Sequence, residues 1–488
     1  MSKSRAGKDI LIYGVGTILR QLAAFIMLPI YTSYLTPKDY GIVALLSVFI
    51  AVFELALGAR FAQVVPRFYY ENDCPIIRRS VLSTALTMTA AISCFGVFLM
   101  WNANEMLSSI FFGAGDYSTY VSIYSILLLT GGIEAYGLTY LRILEKPWLF
   151  VLVSLAKLCI QLSLNIYLVV YNDYGVLGVV ISSVVSSSIF GLLFFTLIYY
   201  RCGFYFDNTV VKRLFIFSWP LWLAGGAAIY ISSSSRYFIR IFSGLDDVGL
   251  FELATKFAMM LSVFVWMPFS NWWQVERFKI LNTSTNISRD LQHIFDLLVS
   301  VMCISIVGVT FFAKPVIFIM SSYEFHASSV AVIPLTFSIL FSHLIIFFNL
   351  SFLANDKTKN IAYLKYISAL IMTVLYFILI PTFGFLGASV GLLISNFIGF
   401  LLTYTWGRKC FDLGVSLRFC GLIIISTMVF VFVDFSWLKY TGDSYFPLAA
   451  KLLLSMLFVI LIIILLAKNK ITENTVYGIL NKFNWKLN

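Results

Sequence analysis

RQLAAFIMLPIYTSYLTPKDYGIVALLSVF, residues 20–49, reads as an apolar helix carrying a lone arginine, a tight polar turn and a second apolar helix. Pro37 fixes its own φ and disfavours helix at Thr36, while Asp39 is placed to cap the helix that contains Gly41. The stretch predicts a membrane hairpin. It also returns: SRYFIRIFSGLDDVGLFELATKF, residues 235–257, sets Asp247-Val248-Gly249 where Asp39-Tyr40-Gly41 stands, 208 residues later. A second echo pairs Gly175-Val176-Leu177-Gly178 with Gly384-Phe385-Leu386-Gly387 at an offset of 209, and a third, weaker one pairs Glu145-Lys146 with Asp356-Lys357 at 211. Agreement among the offsets predicts a duplicated unit followed by a tail.

Composition sets the class. Sixty per cent of the residues are hydrophobic and 12% charged, with a mean hydropathy of +0.92, against roughly 25% charged in a soluble domain. Apolar runs long enough to span ~30 Å of hydrocarbon recur from end to end without an intervening hydrophilic domain. The spans are expected at 10–34, 40–66, 80–101, 119–140, 149–171, 176–200, 214–238, 249–275, 291–312, 330–353, 362–380, 387–407, 419–434 and 448–467, fourteen in all. The first follows Lys3, Arg5 and Lys8 but is too long for a signal peptide and lacks a small-x-small cleavage site, so it is expected to be retained. With a cytoplasmic N-terminus, 24 of the 34 Lys+Arg fall inside, five outside and five within spans; acidic residues fall 11, eight and four. The net charge of +11 is therefore a matter of topology, and implies no nucleic-acid partner. Trp101, Trp148, Trp272, Trp273, Trp406 and Trp437 lie at expected span ends.

The fold class expected is thus an all-α polytopic membrane protein of two six-helix lobes in parallel repeat plus two extra C-terminal helices. The divisions fall at 1–205, 206–412 and 413–488. Six helices restore orientation, so the lobes should be related by an axis along the membrane normal.

Catalytic and cofactor signals are nearly absent. Three histidines form no HExxH, no P-loop surrounds Gly7-Lys8, and seven cysteines show no CxxC spacing; no enzyme activity, metal, disulfide or cofactor is expected. Asp246-Asp247 is explained by capping of the eighth span more cheaply than by an acidic metal pair. The informative residues are charges inside spans: Arg20, Glu54, Arg60, Glu134, Lys157, Glu252, Lys256 and Lys451, with Arg236 and Arg240 near the outer end of the seventh. Each costs about 2.5–3.5 kcal/mol on insertion scales and so calls for a cavity or a partner. Tyr13, Thr17, Arg20 and Ala24 share one helical face, as do Ser154, Lys157, Gln161 and Asn165. Those stripes favour cleft-facing roles for Arg20, Lys157 and Gln161. Glu252 and Lys256 either face the cleft or neutralise each other at four residues' spacing; Arg236 and Arg240 either face it or reach the headgroups. Lys451 and Asp434 are read as interfacial. A cationic, hydroxyl-rich wall suits a sugar-pyrophosphate head whose lipid tail stays in the bilayer.

LPIYTSYLTPKDYG, VPRFYYEND, the second hairpin and the GVLG/GFLG pair together resemble bacterial polysaccharide (O-antigen type) flippases, of the multidrug/oligosaccharidyl-lipid/polysaccharide exporter superfamily. The resemblance covers essentially the whole chain. It implies export of undecaprenyl-pyrophosphate-linked glycan to the outer leaflet by alternating access. It further implies a bacterial inner-membrane location, and membrane lipid and other polysaccharide-assembly proteins as partners; the Lys/Arg asymmetry sets both termini in the cytoplasm. Cavity cations of that family correspond here to Arg20, Arg60 and Arg236 or Arg240, with Glu54, Glu134 and Glu252 as charge partners or coupling groups. Where the family often carries an acid before the arginine, this chain has Ser235, which supplies Arg236 with no partner. Two alternatives remain at this point: a drug or cation antiporter of the same superfamily, which should show a more acidic cavity, and a membrane polysaccharide polymerase or ligase. The latter usually has one large outer loop, whereas the longest here is about Asn102 to Ser118.

Overall fold

The computed structural model describes residue 25 and residues 27–57, 61–71, 73–113, 115–284, 286–440 and 448–468. The described residues are helical almost throughout and include no strand. They form two compact units: Met1–Glu252 with Met320–Phe325 and Tyr376–Ala388, and Leu253–Ile319 with His326–Leu375 and Ser389–Asn488.

The first unit begins with α1 (Leu28–Tyr34) and α2 (Pro37–Ala56), separated by the expected turn. Thr36 caps α2 by accepting from the Asp39 N–H at 3.2 Å, and its own N–H donates to Asp39 Oδ2 at 3.1 Å, a reciprocal capping box with Pro37 at the first helical position. The second span is shorter than the sequence suggests. After Ala56 the chain resumes in a separate short helix, α3 (Val65–Glu71). There follow α4 (Pro75–Asn102), α5 (Asn104–Phe112), α6 (Ser118–Ile143), α7 (Pro147–Asn165) continued by a π-helical turn at Ile166–Tyr171, α8 (Gly175–Cys202) and α9 (Asn208–Phe242). α5 occupies the expected outer loop; Gly113, with φ 84°, closes it in the left-handed region. α10 (Leu245–Leu261) completes the second hairpin.

The sequence echoes are backbone echoes. Gly175 and Gly384 both take positive φ, 51° and 57°, at the start of their GxLG helices, and the second of these interrupts the long helix Thr358–Cys410. Glu145 and Asp356, the weakest sequence match, both stand at φ 54°, a value uncommon outside glycine. A duplicated turn thus survives where only a carboxylate and a lysine are left in common.

α6 and α8 approach closely because Gly137 faces the Phe194 ring and Gly191 faces the Thr130 backbone. Inside a bilayer this close van der Waals packing, rather than water exclusion, holds helices together.

The second unit is built from the end of α10, a π-helical turn at Ser262–Trp266, α11 (Met267–Thr283), α12 (Ile287–Met320), α13 (Ser329–Phe348), α14 (Leu350–Leu353), most of α15 (Thr358–Cys410), α16 (Arg418–Tyr440) and α17 (Leu448–Lys468). Its core is aromatic: Trp273 stacks on Phe347 at 4.6 Å, and Phe295 packs against Phe347 and Phe348 at 5.2 Å each. Within it Lys451, expected at the interface, is buried against protein. Its Nζ lies 3.0 Å from Asp434 Oδ1 and donates to the Phe311 carbonyl at 3.0 Å, with both side chains under a tenth exposed. Removing one partner of so buried a pair costs about 3–5 kcal/mol.

Nine helices among the described residues are long and apolar enough to cross a membrane, one of them being the Thr358–Cys410 helix with its break at Gly384.

Candidate functional site

Three polar arrangements occupy the first unit. The stripe foreseen on α7 is present, and its partners come mainly from α6 and α8. Lys157 Nζ donates to Glu134 Oε2 at 2.5 Å and to Ser187 Oγ at 2.9 Å, while Ser187 Oγ donates to the same carboxylate oxygen at 3.0 Å. One turn along, Gln161 Nε2 donates to Ser183 Oγ at 3.1 Å; a further turn on, Asn165 donates to Tyr31 Oη at 2.5 Å and accepts from Ser182. Glycine-mediated contact of α6 with α8 brings Glu134 and Ser187 within reach of one ammonium. The charges neutralise each other, which removes most of the cost of having them in apolar helices. Ser182, Ser183 and Ser187 were not foreseen as site residues, though the run ISSVVSSS at 181–188 carried the signal.

The second arrangement lies in the second hairpin. Arg236 Nε and a terminal nitrogen both reach Glu252 Oε2, at 2.8 and 2.7 Å, and another terminal nitrogen donates to the Ser232 carbonyl at 2.8 Å. The partner that Ser235 does not supply thus comes from the next helix, across the turn. Glu252 is engaged sixteen residues back along the chain, at Arg236; Lys256, one turn beyond it, is half-buried. Arg240 donates to the Ser109 carbonyl of α5 at 3.1 Å. Glu54 is half-buried near the end of α2. Arg20 and Arg60 lie outside the described residues.

The third arrangement joins the two hairpins reciprocally. A Cβ on Gly41 would collide with the Leu245 carbonyl oxygen, and one on Gly249 with the Pro37 carbonyl oxygen. By the offset of 208, Pro37 corresponds to Leu245 and Gly41 to Gly249, so the pairs exchange places, as in a two-fold interface. A hydrogen-bond exchange repeats the pattern: Thr32 donates to the Met320 carbonyl at 3.0 Å and Arg240, its counterpart, to that of Ser109, which corresponds to Met320 at the offset of 211. Asp247 also does more than head α10: its Oδ2 accepts the Phe385 N–H at 3.1 Å, just after the Gly384 break. Besides standing in the first turn of α10, Asp247 thus holds the backbone at the start of the twelfth expected span.

Among the described residues no group of three or more His, Cys, Asp or Glu side chains could hold a metal ion.

Several solved structures share the fold. A lipid II flippase MurJ in an inward closed conformation superposes with a TM-score of 0.72 at 14% identity, over 93% of this chain and 98% of that one. An inward-facing multidrug resistance MATE family transporter of the MOP superfamily gives 0.61 at 17%, over 80% and 94%, and a MATE in complex with MaD3S gives 0.54 at 17%, over 82% and 95%. No curated protein matches. Residues 6–273, more than half of the chain and including both hairpins, match the family described as polysaccharide biosynthesis protein, and to that family this chain belongs.

Proposed function

We propose that this chain is a flippase of polysaccharide biosynthesis that carries an undecaprenyl-pyrophosphate-linked glycan from the cytoplasmic to the outer leaflet by alternating access. The carrying observation is the reciprocal contact of Gly41 with Leu245 and of Gly249 with Pro37: repeat-related turns whose glycines meet the other copy's backbone can part there without breaking an ion pair. Family membership and the fold shared with a lipid II flippase support a lipid-linked cargo. In this reading Arg20, Arg60 and Arg236 meet the pyrophosphate, with Lys157, Gln161, Arg240 and Lys256 contributing along the walls. Glu54, Glu134 and Glu252 act as charge partners. A head with about two negative charges moves outward down the membrane potential by roughly 4–5 kcal/mol per 100 mV, so no ATP is required. A drug or cation antiporter would share this fold, and MATE transporters do; but Glu134 and Glu252 are each held by a cation, which leaves those two acids poorly suited to a cationic drug.

Arg20 is the test. Arg20→Ala should abolish surface polysaccharide at normal membrane abundance, and Arg20→Lys should keep part of it, since an ammonium attracts phosphate without the bidentate fork. A normally abundant, fully active Arg20→Ala refutes the assignment.

A further inference from the structure

A cluster of arginines lines a cavity in the first unit, away from the hairpins. α3, α4, α6 and α8 enclose a cavity of about 410 Å³ whose lining brings together Arg78, Arg79 and Arg201, with Tyr140, Leu82 and Leu144. Pockets that hold small ligands start at about 300 Å³. Arg78 is fixed in place: its Nε donates to the Tyr69 carbonyl at 3.1 Å, its guanidinium lies 5.0 Å from the Tyr69 ring, and it pairs at 2.7 Å with Asp73, whose own side chain is fully in solvent. Arg79 and Arg201 make no ion pair with any carboxylate among the described residues, and Glu71 of α3 is taken by Arg213 at 2.7 Å. Arg78 also stands in the first turn of α4, where the helix dipole disfavours cations, and Arg79 follows it. Three guanidinium groups converging on one cavity with one screened carboxylate between them leave a surplus of positive charge that an anion would neutralise.

The surroundings say which anion. The same cavity has an apolar side at Leu82 and Leu144, and next to it Ile76, 66% exposed, Ile77 and Tyr70 present apolar surface outward. By the distribution of lysine and arginine this is the cytoplasmic end of the spans. We infer that the cavity binds the phosphodiester headgroup of an anionic phospholipid of the inner leaflet, with Arg79 and Arg201 forking its oxygens and the acyl chains running along the apolar surface beside Ile76. Basic pockets between transmembrane helices on that side are suited to such headgroups. The site would make this chain's activity depend on lipid composition independently of its cargo.

The full-length protein, purified and delipidated in uncharged detergent, is titrated with phosphatidylglycerol or phosphatidylcholine and the bound lipid read by native mass spectrometry. Wild type should retain phosphatidylglycerol in preference. Arg79→Gln with Arg201→Gln should weaken it roughly thirtyfold, about fivefold per cation, whereas Arg79→Lys with Arg201→Lys should keep most of the binding. Arg408→Gln, at an exposed arginine outside the cavity, should change nothing. If the double glutamine variant does not fold, Arg79→Ala alone, at an exposed side chain, should show the fivefold loss. Equal phosphatidylglycerol binding by wild type and the neutral variants overturns the site. Displacement of the lipid by millimolar inorganic phosphate, with stabilisation of lipid-free protein by phosphate alone, overturns the lipid assignment in favour of a soluble phosphate ligand.

Discussion

The two hairpins share a backbone and differ in almost every side chain that matters. In the first, Leu28 and Ala44 are buried apolar residues; at the corresponding positions of the second stand Arg236 and Glu252, ion-paired. In the first, Asp39 closes a capping box with Thr36 inside its own turn; in the second, Asp247 reaches out to Phe385 and Gly244 replaces the capping threonine. What remains common is the glycine at 41 and 249, each pressed against the other copy's backbone. Duplication here preserved the contact that requires both copies and released the rest, so one hairpin became structural packing while the other acquired charge.

The largest effect should come from the shared feature. Gly41→Val and Gly249→Val each put a branched side chain into a carbonyl that belongs to backbone and cannot rotate away. Each should cost more than about 3 kcal/mol, at the top of the range for overpacking. Thermal melting of the purified full chain measures this, and surface polysaccharide should fall with both. The reciprocal geometry predicts similar losses; a tolerated Gly41→Val beside a destructive Gly249→Val would break the two-fold reading.

The repeat was legible in the sequence because turns are written in a few residues: Pro37 and Asp39 in the hairpin, glycine at 175 and 384, and even Glu145 and Asp356, whose shared positive φ the two-residue match only hinted at. The partner of Arg236 was not legible. Spacing along one helix left Glu252 to pair with Lys256 or to face a cleft; that it meets Arg236 depends on packing of α10 against α9 across the turn, sixteen residues away in sequence. The α7 stripe was readable as a polar face, yet only the close approach of α6 and α8 shows that Lys157 meets Glu134. Likewise α5 was hidden because nine residues between two spans are too few to establish a period.

The ion pair that distinguishes the second hairpin comes next in size. Arg236 and Glu252 are 15% and 18% exposed, so losing one partner should cost about 2 kcal/mol, less than for a fully buried pair. Replacing both by the residues of the first hairpin, Arg236→Leu with Glu252→Ala, should recover most of that stability, because Leu28 and Ala44 already pack in the same place. Recovery of melting temperature without recovery of export would separate a transport role of Arg236 from its structural one. Recovery of both would reduce the difference between the hairpins to packing.

The smallest effect concerns the two aspartates, and it asks whether a conserved turn has kept its job. Loss of either carboxylate should cost about 1 kcal/mol, the usual worth of an N-cap. Their consequences should fall in different places. Asp39→Ala leaves Thr36 with one of its two reciprocal bonds, so Thr36→Ala and Asp39→Ala should be strongly non-additive, and faster hydrogen exchange should be confined to the first turn of α2. Asp247→Ala removes the acceptor of the Phe385 N–H, so its exchange should quicken 138 residues away, at the Gly384 break, while the first turn of α10 changes less. Asp247→Asn should restore protection there, since an amide oxygen still accepts that hydrogen bond. Unchanged exchange at Phe385 in Asp247→Ala would mean that the second aspartate, like the first, serves only its own hairpin.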